Sequence, residues 1–144
     1  MDDCCPKENI CDTLLSISWY LGNQCCDDSP LIPAEYQALK VIRDTPSCPV
    51  QALGCALGIT KSGASRMVKR LIEQQLIETF VDTNDARLRK LVLTELGHTQ
   101  LRQMAASQKR HISKLLVEVP EKDMLHLQTC LKTIAKAVPS KTTA

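Results

Sequence analysis

The chain has 144 residues, 44% of them hydrophobic, 24% charged and only 3% aromatic. That is one domain of ordinary globular composition, whose core must be built from Leu, Ile, Val and Ala. No apolar run approaches the ~20 residues of a membrane span, and the acidic, polar opening is no signal peptide, so a cytoplasmic protein without a membrane partner is expected. The net charge of +2 conceals an asymmetry: residues 1–36 hold one base and seven acids, net −6, which leaves 17 bases and nine acids, net +8, elsewhere. Only the second part suits a polyanion.

Helical periodicity dominates the pattern. Ile10, Leu14, Ile17 and Leu21 mark a first helix ending near "GNQCC", and "CDDSPLIP" with its two prolines breaks it. A second helix is expected from about Ala34 to Arg43, with Tyr36, Leu39, Val41 and Ile42 as its apolar positions. "DTPSCP" ends it, and Pro49 suits the start of a short third helix, "VQALGCAL". Gly58 then makes a tight turn. Thr60 is placed to N-cap a fourth helix, "KSGASRMVKRLIEQQ". On that helix Ala64, Val68, Leu71 and Ile72 share one face, while Lys61, Ser62, Ser65, Arg66, Lys69 and Arg70 lie mostly away from it.

A helix, a glycine turn and a second helix with Ser, Lys and Arg near its start read as helix-turn-helix, although a solvated amphipathic helix has the same pattern. The next segment favours the former. "LIETFVD" and "LRKLVLT" are apolar and β-branched enough for two strands joined by the polar turn "TNDAR". A hairpin there makes the motif a winged one, with Arg87, Arg89 and Lys90 at the tip and along one strand. The fourth helix would present its N-terminal half to the major groove, and a wing arginine would reach the minor groove.

After the expected N-cap Thr94 comes a long helix, "ELGHTQLRQMAASQKRHISKLLVEV", with Leu101, Met104, Ala105, Ile112, Leu115 and Leu116 at helical spacing. Pro120 separates it from a last helix carrying Met124, Leu127, Leu131, Ile134 and Val138, a three-four pattern of the kind found where helices pair. A winged motif needs little beyond its own core. The surplus amphipathic helix therefore argues for a dimer interface. The expected fold class is mainly α with a small β wing: a winged helix-turn-helix lobe over 31–97, and a helical dimerisation region from 1–30 and 98–144.

The stretch "LGITKSGASRMVKRLIEQQLIETFVDTNDARLRKLVLTELG" resembles the MarR family of bacterial transcription regulators. That family's wing carries an Asp, a short turn, then Asp and Arg before a strand ending in Leu-Thr, with Gly three residues on. Asp82, Asp85, Arg87, Leu93, Thr94 and Gly97 hold those places. The resemblance implies a homodimer binding a pseudo-palindromic operator in double-stranded DNA. Arg87 would enter the minor groove with help from Asp85, and the Ser and basic positions that follow Thr60 would contact bases and phosphates. Two departures stand out: Ala86 occupies the place of a usual first arginine, a role Arg89 could take, and Gln75 replaces the glycine that usually ends the recognition helix, which implies either a non-glycine residue in an unfavourable turn or an altered helix end.

Eight cysteines are well above ordinary usage. Cys48, Cys55 and Cys130 sit where small apolar residues would pack. Cys4, Cys5, Cys11, Cys25 and Cys26 crowd the first 26 residues. A disulfide within an adjacent pair is strained, reduced compartments disfavour disulfides, and no Cys-x-x-Cys occurs. Soft thiolate clusters suit zinc, copper(I), mercury, arsenic or an iron–sulfur cluster. Along an unbroken first helix Cys11 and Cys25 stand about 21 Å apart, at 1.5 Å per residue. Either there are two separate sites, or Cys4, Cys5 and Cys11 of one subunit meet Cys25 and Cys26 of the other; the second is the expectation, and a redox signal through the same thiols is an allied one.

Other readings are open. Trp19, Tyr20 and Tyr36 could line a pocket for a small aromatic effector, with the cysteines structural, and His126 and Cys130 have the i, i+4 spacing of two ligands on one helical face. A thiol enzyme or metal carrier on the same fold is a further class. It is disfavoured because no acid, base and nucleophile constellation surrounds the cysteines, so no catalytic residues are assigned.

Overall fold

Threonine, proline and glycine set the places where this chain changes direction. The computed structural model describes residues 6–23 and 31–139. In chain order these form α1 (Pro6–Gly22), α2 (Pro33–Asp44), β1 (Cys48–Pro49), α3 (Val50–Leu57), α4 (Lys61–Glu73), β2 (Ile77–Val81), β3 (Arg89–Leu93), α5 (Glu95–Leu116) and α6 (Glu121–Ala137). Pro33 opens α2 at a position where its missing N–H costs nothing. Thr60 and Thr94 each accept a backbone N–H three residues on, from Gly63 at 3.1 Å and Gly97 at 2.9 Å. Both are side-chain N-caps that satisfy donors the first helical turn leaves open.

The sheet is antiparallel, in the order β1-β3-β2. Ile77 stands opposite Leu93 and Val81 opposite Arg89, while Cys48 and Pro49 pair with Leu91 and Lys90. Period-two alternation in β3 buries Leu91 and Leu93 and turns Val92 outward. The third strand corrects the two-strand expectation. "DTPSCP" read only as a break because two residues show no periodicity, and Pro49 lacks a ladder donor and so suits only an edge.

One core joins these elements. Leu39, Leu53, Leu71, Ile77, Leu91 and Met104, one each from α2, α3, α4, β2, β3 and α5, are fully buried. Each such side chain contributes roughly 1.5–3 kcal/mol relative to exposure. The core continues past residue 97 into α5 through Leu101 and Met104 and stops there: Ile112 and Leu115 are exposed, as is Ala105. Ile72, expected on the inner face of α4, is also exposed, because Ala64, Val68 and Leu71 already fill that face.

Outside this core many apolar residues of α1, α5 and α6 have little cover from the described chain. Ile10, Leu14, Leu15 and Ile17 of α1 are exposed, and α6 buries no residue at all. Between α1 and the α5–α6 corner runs an apolar groove of about 730 Å³, lined by Ile10, Leu14, Ile17, Ile112, Leu115 and Leu131 among others. Among the described residues no helix is long and apolar enough to cross a membrane.

Candidate nucleic-acid interface

The crossing of α3 and α4 depends on two glycines. Gly58 takes φ +65, a left-handed conformation that ends α3, and Gly54 lets α4 approach: a Cβ there would lie 3.3 Å from the Ala64 Cβ. The Ile59 N–H donates to the Gly54 carbonyl at 3.0 Å, closing the turn. With Ala64, Val68 and Leu71 buried, Lys61, Ser62, Ser65, Arg66, Lys69 and Arg70 all face solvent. Among the described residues Lys61 and Arg66 have no ion-pair partner, and Lys69 has only the exposed Glu73 at 3.9 Å. The first two turns of α4 therefore present unneutralised positive charge beside two hydroxyls.

Arg70 differs from its neighbours. Its Nη2 lies 2.8 Å from Oε1 of Glu35, a carboxylate with 0% of its side chain exposed. The Gln74 amide donates to the same oxygen at 3.3 Å, and the Ile32 N–H donates to Oε2 at 3.1 Å. Sequence reasoning grouped Arg70 with the outward cations and overlooked Glu35. A signal existed only in part: Glu35 stands third in α2, where a carboxylate can reach back to cap the helix, but its partner across the fold left no local trace.

The end of α4 is the closure expected of a helix that stops sharply, made with an unusual residue. The Gln75 N–H donates to the Ile72 carbonyl and the Leu76 N–H to the Leu71 carbonyl, both at 2.9 Å, with Gln75 at φ +60. This is a Schellman closure with glutamine in glycine's place, so the departure in sequence is met by an unfavourable turn and not by an altered helix end.

The wing turn is held by two aspartates. Asp82 Oδ1 accepts the Asn84 N–H at 2.8 Å, and its Oδ2 pairs with Lys90 Nζ at 3.2 Å. Those partners, the Asn84 N–H first, hold the Asp82 carboxyl below its ordinary range. Asp85 Oδ1 accepts the backbone N–H of Arg87 at 3.0 Å, and the Leu88 N–H closes on the Asp85 carbonyl at 3.0 Å. Asp85 thus shapes the backbone beneath Arg87. Among the described residues the Arg87 and Arg89 guanidinium groups are exposed and have no ion-pair partner.

The cysteines divide differently from expectation. Cys48 is buried, as a small apolar residue should be, and burial pushes its thiol pKa up. Cys55 and Cys130 are exposed instead. The inner face of the short α3 is filled by Leu53 and Gly54, which turns Cys55 outward, and α6 has no buried face to receive Cys130. Cys11 is exposed and free on α1, whereas Cys4, Cys5, Cys25 and Cys26 lie outside the described residues. Among the described residues no three metal-ligating side chains converge, and the Cys130 thiol and His126 Nε2 stand 3.8 Å apart in the open. Tyr36 belongs to the core, while Trp19 and Tyr20 are exposed on α1.

Comparison with known proteins agrees with this architecture. Residues 31–88 match the MarR family. The HTH-type transcriptional regulator PetP of Rhodobacter capsulatus is 34% identical over 76 residues, which are 53% of this chain and 46% of PetP, so the chain spans about half the length of that curated relative. A MarR family protein from Bacillus stearothermophilus superposes with a TM-score of 0.81 at 17% identity, covering 95% of this chain and 97% of that one. A mutant of Staphylococcus aureus MepR bound to an oligodeoxyribonucleotide gives a TM-score of 0.64 at 16% identity, covering 89% of this chain and 97% of the other. At those identities the two structures bear on the fold alone. The motif residues, the strand order and the family match coincide on one lobe: residues 31–88 match the MarR family, and the described fold is like that of MarR-family structures.

Proposed function

We propose that the chain is a DNA-binding transcription regulator that works as a homodimer on a pseudo-palindromic operator. The observation that carries this reading is the row of unneutralised cations and hydroxyls on the first turns of α4, Lys61, Ser62, Ser65 and Arg66. A helix bearing Ser and Arg at its start suits base edges in a major groove, and an unpaired arginine at a hairpin tip suits a minor groove. The relative PetP is named as a transcriptional regulator, and a MepR mutant is described as bound to an oligodeoxyribonucleotide, which adds support by family. Selection from a random duplex pool, followed by titration at several salt concentrations, tests the reading. Salt-dependent binding that prefers a two-fold sequence is the expected result, and binding with no sequence preference would count against it.

The dimer is proposed on the apolar residues that α1, α5 and α6 leave uncovered. A single chain exposing so much Leu and Ile on three helices has the composition of an interface, not of a monomer surface. Sedimentation of the parent against Leu131→Glu checks it. The variant should shift toward the monomer, and identical profiles would remove this assignment.

A second reading concerns the signal. Five cysteines among 26 residues, of which Cys11 has a free, exposed thiol, favour a thiolate site for a soft metal, an iron–sulfur cluster or a redox change at Cys4, Cys5, Cys11, Cys25 and Cys26. With Cys11 on α1, such a site would be coupled to DNA through the dimer. Anaerobic purification with metal analysis separates the outcomes. Brown colour means a cluster and stoichiometric zinc means a metal site, whereas a colourless, metal-free protein leaves redox sensing or a small aromatic effector as the signal.

A further inference from the structure

We infer that Glu35 is a positioning residue for the recognition helix, and that Arg70 anchors that helix to α2 and is not one of its phosphate ligands. The inference deepens the DNA-binding reading and rests on it. Glu35 is one of two polar or charged side chains buried among the described residues, and the only charged one. Its carboxylate takes hydrogen bonds from both elements it joins: the Ile32 N–H at the start of α2, and Arg70 and Gln74 at the end of α4. Arg70 and Gln74 are four residues apart, so both reach one carboxylate oxygen from a single face of the helix.

Two consequences follow from the burial. First, the charge of Arg70 is already balanced by a carboxylate that has been taken out of water. Turning Arg70 toward a phosphate would leave that carboxylate with neutral donors only, and a buried charge without its counter-charge is far costlier than an exposed one. Lys61 and Arg66 face no such cost, because among the described residues neither has an ion pair to break.

Second, the anchor sits at the opposite end of α4 from the groups that would read bases. Ser62 and Arg70 are eight residues apart, about 12 Å at 1.5 Å per residue, so a tilt of about 10° at the anchor moves the reading end by about 2 Å. Hydrogen bonds to base edges hold only within a few tenths of an ångström, whereas charge attraction to phosphates tolerates such a shift. Glu35 therefore governs the preference for operator over other sequence more than it governs overall affinity.

The test uses the full chain, an operator selected from a random pool and a scrambled duplex of equal length. Glu35→Gln keeps the shape and removes the charge. It should reduce the preference for operator by roughly fivefold, the scale of one weakened base contact, while binding to the scrambled duplex stays equal or tightens. The double variant Glu35→Met/Arg70→Met replaces the ion pair by apolar groups of similar size, a change that buried pairs often tolerate. Its dependence of log affinity on log salt should match the parent's. A slope lower by about 0.9 would show Arg70 to be a phosphate ligand and overturn the inference, as would an unchanged preference in Glu35→Gln. If the parent shows no salt-dependent duplex binding, the regulator reading itself fails and this inference falls with it.

Discussion

Gly97 turns its bare Cα against the carbonyl of Leu76, so closely that any Cβ at that position would overlap the oxygen. The same oxygen accepts the Thr94 N–H at 3.0 Å, and the Thr94 hydroxyl donates to the Gln75 carbonyl at 2.7 Å. The turn that follows α4 and the start of α5 are thus locked together. Gly97→Ala should destabilise the lobe by roughly 2–3 kcal/mol, since neither helix nor strand can yield cheaply. Denaturant unfolding of the two proteins measures it, and a loss within experimental error would mean that α5 shifts freely on the wing.

Gln75 predicts the opposite sign. Its φ of +60 is one that glycine adopts freely and glutamine only with strain. Gln75→Gly should stabilise by about 0.5–1 kcal/mol, because the relief of left-handed strain outweighs glycine's larger entropy in the unfolded chain. A rise of the thermal midpoint by a few degrees is the readout.

For the wing, Arg87→Ala should weaken operator binding by about 1–3 kcal/mol, roughly five- to 150-fold. Its fold should be unaffected, since Asp85 holds the backbone N–H of residue 87 and not the guanidinium. Equal affinity of the variant and the parent for the selected duplex would remove the wing from the interface.

The Asp82 carboxylate gives the wing turn a pH dependence. Its folded pKa lies below the ordinary 3.8, set by the Asn84 N–H and then by Lys90. The stabilisation is therefore complete above the unfolded value and is lost as pH falls through the folded one. Unfolding the parent and Asp82→Asn from neutral pH down to about 2 should show a constant difference above about pH 5 that shrinks toward zero in acid. A difference that grew in acid would reverse the assignment.

Much of this protein is written in short-range signals. Thr60 and Thr94 cap donors only three residues away, Gly58 ends α3 by its own φ, and β3 alternates with a period of two. Such features depend on neighbours in the chain, and for that reason both helix starts, the turn and the wing could be read directly. The family resemblance rests on the same local spacings, from Asp82 to Gly97. The outward placement of Lys61, Ser62, Ser65 and Arg66 followed from where the apolar residues of α4 recur.

What could not be read depends on which element packs against which. β1 exists because Cys48 and Pro49 meet Leu91 and Lys90, a pairing that two residues cannot announce. Cys55, Cys130 and Ile72 looked fit for a core, yet each faces outward because neighbouring side chains fill the inner face or because the helix has none in the described chain. Arg70 looked like one more cation on a DNA-facing helix until the fold brought Glu35 beneath it. Local hydrogen bonds and periodicity lie within a few residues of their cause. An ion pair between α2 and α4 comes into being only once the shared core has set the two helices side by side.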